Sequence, residues 1–523
     1  MIIKIAPAAM RISLPPVARW VGFIALCLGM AMAILDIQVV VTSLPVIEKA
    51  LDIGADQMSW VQTSYLIAEV IAIPLTGVLM RVFTLRRLFI AALVAFTLAS
   101  IACASSHGFV DLLAGRLAQG FAGGVLIPIV FTSIFLLFPP GMEQSIAITV
   151  AGFLAVLAPT LGPLIGGWLT DHYSWHWLFL INIVPGVFGL GFGLFALPRQ
   201  AMHMEEIKKL DYVSLALLAV GLAALLIGLK YAPRSGWLDP FVAAWFGLSF
   251  SSLYWLWKRP NPVIMFHLLE DRSLLFGCML SFLTGFVLYA NIYLIPVFMA
   301  FVRGHTPLEI GLTTLVMGLS QIITAPLAIQ IDRYFNARLL AALGFFAFAV
   351  GLLINANLTV LSDSAEYFWP QVVRGVASAF IVLPPIRFAL ALMPIDKVGD
   401  ASGLFNVTRN IGGAIGIAIV DTMIWQRSPI YADQVHEWMK IDPTKAAAML
   451  GMNVQDLPSA DDAMGLMGIM EDVSHAALTG ALNECWILLG VVCLIALPVI
   501  WWLGPVASAL PVKKLSSALA KKP

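Results

Sequence analysis

Apolar residues run through this chain in blocks of 18 or more, separated by short charged or Pro/Gly-rich breaks. A block of about 20 such residues, wound as a helix, crosses the ~30 Å hydrocarbon core of a bilayer. Helices that satisfy their own backbone hydrogen bonds suit that setting. Cutting the sequence at its breaks predicts fourteen spans: 20–45, 57–79, 88–106, 111–138, 146–170, 177–197, 213–230, 241–257, 274–301, 308–331, 339–357, 368–393, 402–424 and 483–505. The fold class that follows is all-α, a polytopic membrane protein.

Composition agrees, with 60% hydrophobic residues, 11% charged residues and a mean hydropathy of +0.92. The formal net charge is zero, which argues against a nucleic-acid partner. Cys27, Cys103, Cys278, Cys485 and Cys493 fall in or beside apolar spans without metal-ligand spacing, as buried small hydrophobes do. Lys4, Arg11 and Arg19 precede an apolar stretch longer than a signal-peptide core, so the first span reads as retained. An even number of spans puts both termini on one side. That side holds 19 of the 30 Lys and Arg, the opposite loops hold 7, and 4 arginines lie within spans. The positive-inside rule therefore predicts cytoplasmic termini, with 1–19 and 506–523 as cytoplasmic segments.

The chain repeats itself. RLAQGFAGGVLIP (116–128) aligns with QVVRGVASAFIVLPP (371–385), Gly120 falling opposite Gly375 and Gln119 opposite Arg374. Gly152 and Gly162 likewise match Gly403 and Gly413, at offsets of 255 and 251 residues for the two relations. A parallel repeat of six spans is the mark of a two-bundle transporter with its site between the halves. The predicted organisation is a six-helix bundle at 20–197, an inserted helix pair at 213–257 and a second six-helix bundle at 274–505. Within the last, 425–482 is a long, acidic outer loop that reads as several short helices. Met464, Met467 and Met470 recur there at helical spacing, which fits an amphipathic helix on the bundle or membrane surface, or a docking surface for a partner protein.

The chemistry lies where the apolar pattern is broken in mid-span. Residues 158–167 read APTLGPLIGG. Pro159 and Pro163 would be costly in a water-exposed helix, at about 3 kcal/mol each. Gly162, Gly166 and Gly167 remove the bulk that keeps two helices apart. Charges inside spans cost on the order of 3 kcal/mol each, so they face a cavity or a partner. Asp36 and Glu69 sit near the middle of theirs, where a carboxylate can hold or release a proton as its surroundings change; permanent structural pairing is the competing reading. Arg116 and Gln119, at i and i+3, share a helix face on which an arginine can hold such a carboxylate, and Arg374 has the equivalent place in the second half. Static bridging between helices competes there too. Arg387 follows the Pro384-Pro385 break and Arg409 can balance an acid of the first half. Asp421, near the outer face, reads as interfacial. Gln38, Gln119, Arg374, Tyr289, Tyr293, Arg387, Phe405 and Arg409 are the candidates for contact with a bound small molecule. Trp60, Tyr65, Phe153 and Trp425 fit packing or interfacial anchoring. His172 and His176 flank nothing that completes a metal site, and no phosphate-binding loop or enzyme-like Ser/His/Asp or HExxH grouping is present.

At these residues the chain resembles the major facilitator superfamily, specifically the fourteen-span drug:proton antiporters of the EmrB/QacA type. APTLGPLIGG (158–167) is similar to the antiporter motif of the fifth span, RLAQG (116–120) to the fourth-span motif, and LDIQVVVTSLP (35–45) to the first-span signature. Gln38 and Val41 depart from that signature, where Thr and Asn are usual. GVLMRVFTLRR (77–87) is a weak version of the gating loop containing Arg81 and Arg86; Arg81 stands where aspartate is usual and Thr84 where glycine is usual. The second-half copy keeps Asp332 and Arg333. IPLTG (73–77), WPQ (369–371) and the long outer loop resemble the EmrB-like exporters. The resemblance implies export of hydrophobic or amphipathic toxic compounds from a bacterial inner membrane, driven by the proton gradient and needing no cofactor. Asp36, Glu69 and Arg116 would couple the proton, and a periplasmic adaptor with an outer-membrane channel would be possible partners. A proton symporter importing a small solute, and a non-transporting receptor or scaffold, stand as alternatives.

Overall fold

The structure is a computed structural model that describes residues 15–58, 60–139, 142–200, 202, 205, 211–259, 266–390, 393, 398–459 and 463–502. Most of the expected terminal segments, at 1–14 and 506–523, lie outside the described residues.

Among the described residues every regular element is a helix. In the first half these are α1 (Pro16–Val39), α2 (Leu44–Leu51), α3 (Ala55–Met58), α4 (Trp60–Ala104), α5 (Phe109–Leu137), α6 (Met142–His172), α7 (Trp177–Leu180) and α8 (Ile183–Ala196). A connecting pair follows, α9 (Tyr212–Ser235) and α10 (Pro240–Trp257). The second half holds α11 (Arg272–Phe301), α12 (Pro307–Tyr334), α13 (Ala337–Ile354), α14 (Ser364–Leu390), α15 (Val398–Ile441), α16 (Pro443–Leu450), α17 (Ala463–Gly468) and α18 (Met470–Trp502). Local chemistry sets the starts. Pro16 opens α1, where a missing N–H costs nothing, and Thr306 with Glu309 forms a capping box at α12.

Eleven helical segments among the described residues are long and apolar enough to cross a membrane. The other three expected spans fall on the first limb of α4, on α10 and on α14, which are helical without meeting that standard. The chain is a multi-pass membrane protein.

At 45 residues α4 is too long for one crossing. It breaks at Thr84, whose φ of 68° and ψ of 160° lie in a region open in practice only to glycine. The two limbs are the second and third expected spans. Thr84 is 5% exposed and its hydroxyl has no partner among the described residues. Backbone strain of this kind costs about 1–3 kcal/mol. Thr84→Gly is therefore expected to raise the thermal midpoint of the detergent-purified protein by a few degrees. Thr84→Ala, which keeps the Cβ, should give no such gain, and equal midpoints for wild type and glycine variant would refute the strain.

One apolar core joins α1, α4, α5 and the near part of α6, and a second joins α11–α15 with α18. The α9 helix packs on α4 of the first half and on α15 of the second. Residues 40–58, 173–176, 302–306 and 355–363 share the far end; the start of α1 and the end of α18 lie at the near end. The acidic stretch 425–482 differs from its reading as short helices. Most of it extends membrane helices: α15 continues to Ile441 and α18 begins at Met470, leaving only α16 and α17 as short helices. Charge ended the hydropathy signal there without ending the helix.

Candidate functional site

Asp36 sits on α1 inside the first bundle and is fully buried. Its carboxylate pairs with Arg116 of α5. It also accepts hydrogen bonds at 2.7 Å from Gln119 Nε2 and at 2.7 Å from Asn182 Nδ2. Gln119 donates to Ser100 Oγ at 2.9 Å and accepts from Arg116 Nη1 at 2.8 Å. Arg116 Nε donates to the Val61 carbonyl at 2.9 Å, and the guanidinium lies 4.4 Å over the Tyr65 ring. Four helices thus close a cradle around one carboxylate, as a buried charge requires. The small faces of α5 let them approach. A Cβ on Gly120 would sit 2.2 Å from the Tyr65 carbonyl oxygen, and one on Gly123 would sit 2.3 Å from the Tyr65 hydroxyl.

The second bundle holds a copy of this cradle with different charge. Asp36, Ser100 and Gln119 are each 255 residues from Asn291, Asn355 and Arg374. Arg374 donates to Asn291 Oδ1 at 2.7 Å, to Asn355 Oδ1 at 2.6 Å and to the Pro370 carbonyl at 3.2 Å, and lies 5.0 Å over the Trp486 ring. An amide stands where the first bundle has its acid. Gln119 and Arg374 were expected as small-molecule contacts, but both are enclosed within their own bundles at 0% exposure. Phe405 is similarly buried in an apolar cluster, because its turn of α15 faces α11, where Ser281 Oγ donates to the Phe405 carbonyl at 2.9 Å.

Between the bundles lies a second group. Glu69, on the first limb of α4, is 4% exposed. Its helix packs against α15, which carries Arg409. The Tyr289 hydroxyl of α11 donates to Asn410 Oδ1 at 3.0 Å. Tyr293 donates to Asp421 at 3.0 Å. Asp421, expected near the outer face, is thereby bonded to α11 of its own bundle. Gln38 packs against the fifth-span motif, with 2.6 Å between its Cβ and the Cβ that Gly162 lacks.

That motif closes the far end. α6 and α12 run against each other so tightly that a Cβ on Gly167 would lie 2.3 Å from the Pro307 carbonyl oxygen, one on Gly311 2.5 Å from the Pro163 carbonyl oxygen, and one on Gly318 2.2 Å from Thr160. Asp171 completes the contact by accepting from the Leu308 N–H at 3.2 Å, at the start of α12. Gly166 serves its own bundle instead, against the Val39 carbonyl oxygen. Pro159 is half-buried and Pro163 buried in this same stretch. Among the described residues these close glycine contacts between the bundles lie toward the far side, whereas a Cβ on Gly77, Gly152 or Gly403 would meet nothing within 4 Å.

Arg86, expected in a gating loop, donates to the Leu194 carbonyl at 2.6 Å and so ties α4 to the end of α8 within one bundle. The side chains of Arg81, Asp332, Arg333 and Arg387 lie outside the described residues. Asn182, Ser100, Asn291 and Asn355 were missed in the sequence. Each is a polar residue in an apolar run, a signal fainter than a charge but present. Among the described residues no group of three or more His, Cys, Asp or Glu has metal-binding geometry.

Comparison with known proteins places this architecture. The sequence model of the Major Facilitator Superfamily matches residues 26–417. The chain is 32% identical over 493 residues to the colistin resistance protein EmrB of Acinetobacter baumannii, covering 91% of this chain and 95% of that protein. It is 29% identical over 495 residues to the multidrug export protein EmrB of Escherichia coli K12, covering 92% and 94%. The crystal structure of a D-xylose-proton symporter superposes with a TM-score of 0.59 at 14% identity, covering 93% of this chain and 98% of that one, which is a likeness of fold. Two helical bundles related by a repeat, a buried arginine on equivalent helices of each, and a family match across three-quarters of the sequence lead to one conclusion: the chain belongs to the Major Facilitator Superfamily.

Proposed function

We propose that this transporter exports hydrophobic or amphipathic toxic compounds in exchange for protons, by alternating access between its two bundles. It works in a bacterial inner membrane with both termini cytoplasmic, is driven by the proton gradient without a cofactor, and catalyses no covalent chemistry. On this reading the near end is cytoplasmic, and the contact of α6 with α12 closes the outer side. Relatives described as multidrug export and colistin resistance proteins support the substrate class. An adaptor in the outer compartment and an outer-membrane channel belong to this proposal as its partners.

The observation that carries the reading is a buried carboxylate, Glu69, on α4 of one bundle, a helix that packs against α15 of the other, which carries Arg409. A carboxylate beside a cation favours its charge; alone in apolar surroundings it favours its proton. Rocking the bundles changes the distance between these groups, so proton occupancy and bundle position become one equilibrium. Coupling free energies between linked sites run about 1–3 kcal/mol, or 5–150-fold. Glu69→Gln is expected to cut proton-driven export in everted vesicles at least about tenfold and to abolish substrate-induced proton release by the purified protein. Full release by the variant would remove Glu69 from the coupling.

A further inference from the structure

The second bundle encloses a cation with no acid beside it. Arg116 and Arg374 are both 0% exposed, and among the described residues only Arg116 is paired with a carboxylate. The difference is one residue. Where α1 of the first bundle carries Asp36, the repeat places Asn291 on α11. Asparagine supplies an acceptor without a charge. Taking a guanidinium out of water is costly, and neutral acceptors offset only part of that cost.

The groups around Arg374 are short of acceptors. Its bonds to Asn291, Asn355 and the Pro370 carbonyl use three of the five guanidinium N–H groups. Asn355 Nδ2, the Tyr367 hydroxyl and Trp486 Nε1 are buried with no hydrogen-bond partner among the described residues. Their residues are 1%, 0% and 0% exposed, and enclosed polar groups in native proteins seldom go unserved. Register and contact bring these donors together. Tyr367, Gln371 and Arg374 fall at i, i+4 and i+7 of α14, on one helix face. Asn355 Oδ1 accepts from Arg374 at 2.6 Å, and the guanidinium lies 5.0 Å over the Trp486 ring. Gln371 Oε1 is a buried acceptor without a partner, which a water beside a bound ion would serve. Asn355 directly follows α13 and Tyr367 lies in the first turn of α14, so the group reaches the far end, a short path from solution.

We propose that Arg374, Asn355, Tyr367 and Trp486 hold a small monovalent anion of the chloride class, which gives the second bundle the negative charge that Asp36 gives the first. The ion is small because every donor is enclosed, and negative because the unmet donors surround a cation. It is resident rather than carried, since its site lies inside one bundle and not between the two. The test is thermal unfolding of the detergent-purified full chain at constant ionic strength, with sodium chloride replaced stepwise by sodium gluconate, a bulky anion. The wild-type midpoint is expected to rise by about 2 °C or more for each tenfold increase in chloride above the dissociation constant, and bromide should substitute. Asn291→Asp places a carboxylate where the repeat has Asp36. It should abolish the chloride dependence and hold in gluconate the midpoint that wild type reaches in chloride. Trp486→Phe keeps a ring and removes the N–H, and should need about fivefold more chloride for the same gain. A wild-type midpoint indifferent to chloride overturns the proposal and leaves the enclosed donors to water alone. So does an Asn291→Asp midpoint that follows chloride as wild type does, because the anion would then act elsewhere. If Asn291→Asp does not fold, an unchanged chloride requirement in Trp486→Phe overturns it by itself.

Discussion

Asp36→Asn is expected to reduce proton-driven export to background and, at the same time, to destabilise the protein. The two effects have one cause. Asp36 is the only carboxylate paired with Arg116 among the described residues, and both side chains are fully enclosed. An asparagine can accept the hydrogen bonds of Gln119 or Asn182 but cannot balance the guanidinium. Removing one partner of a buried pair typically costs about 3–5 kcal/mol, which should appear as a clear fall in thermal midpoint. Adding Arg116→Met removes the orphaned charge, so the double variant should regain much of that stability while export stays at background. A double-mutant cycle then separates the pair's structural part from its part in coupling. Wild-type export by Asp36→Asn under an imposed pH gradient would end the role of Asp36 in proton exchange.

The second large effect is expected at Gly167. A methyl group there would lie 2.3 Å from the Pro307 carbonyl oxygen and 2.6 Å from the Leu308 Cα, both on the other bundle. Backbone atoms cannot swing aside as a flexible side chain can, so α6 and α12 must part. Gly167→Ala should therefore favour the state open at the far end, with little loss of fold stability, because each bundle keeps its own core. A bias of about 2 kcal/mol changes the ratio of the two states roughly thirtyfold. Spin labels at Tyr173 and Leu361, both exposed far-end positions, should report a longer distance than in wild type, and export should fall about tenfold or more. Gly166→Ala is the control. Its methyl would meet the Val39 carbonyl oxygen at 2.0 Å within one bundle, so it should lower stability without selecting a state. An unchanged label distance with full export in Gly167→Ala would show that α6 and α12 need not touch at 167.

How much of this was legible in the sequence follows from what each residue costs. In-span charges are expensive, so Asp36, Glu69, Arg116 and Arg409 stood out, and the structure pairs Asp36 with Arg116. The repeat was legible because glycines at fixed register mark helix contacts, and the same register now relates Asp36 to Asn291. Neutral polar residues such as Asn182 and Ser100 cost less and hid among the apolar residues. Facing was the larger gap. A helix in a membrane bundle is apolar on all sides, so no periodicity separates a residue that lines the space between bundles from one packed inside. Gln119 and Arg374 fell on the inner side for that reason.

The paired cradles carry a further consequence. One half of the molecule can change its net charge by taking up a proton, while the matching place in the other half holds a permanent cation among amides and an indole ring. An electric potential across the membrane acts on charge, at about 2.3 kcal/mol per elementary charge moved through 100 mV. On the proposed proton exchange at Asp36, each arriving proton would alter the voltage-borne force on one lobe alone. The duplication would then leave an electrically lopsided machine, with membrane voltage as well as acidity setting the lean of the rocker.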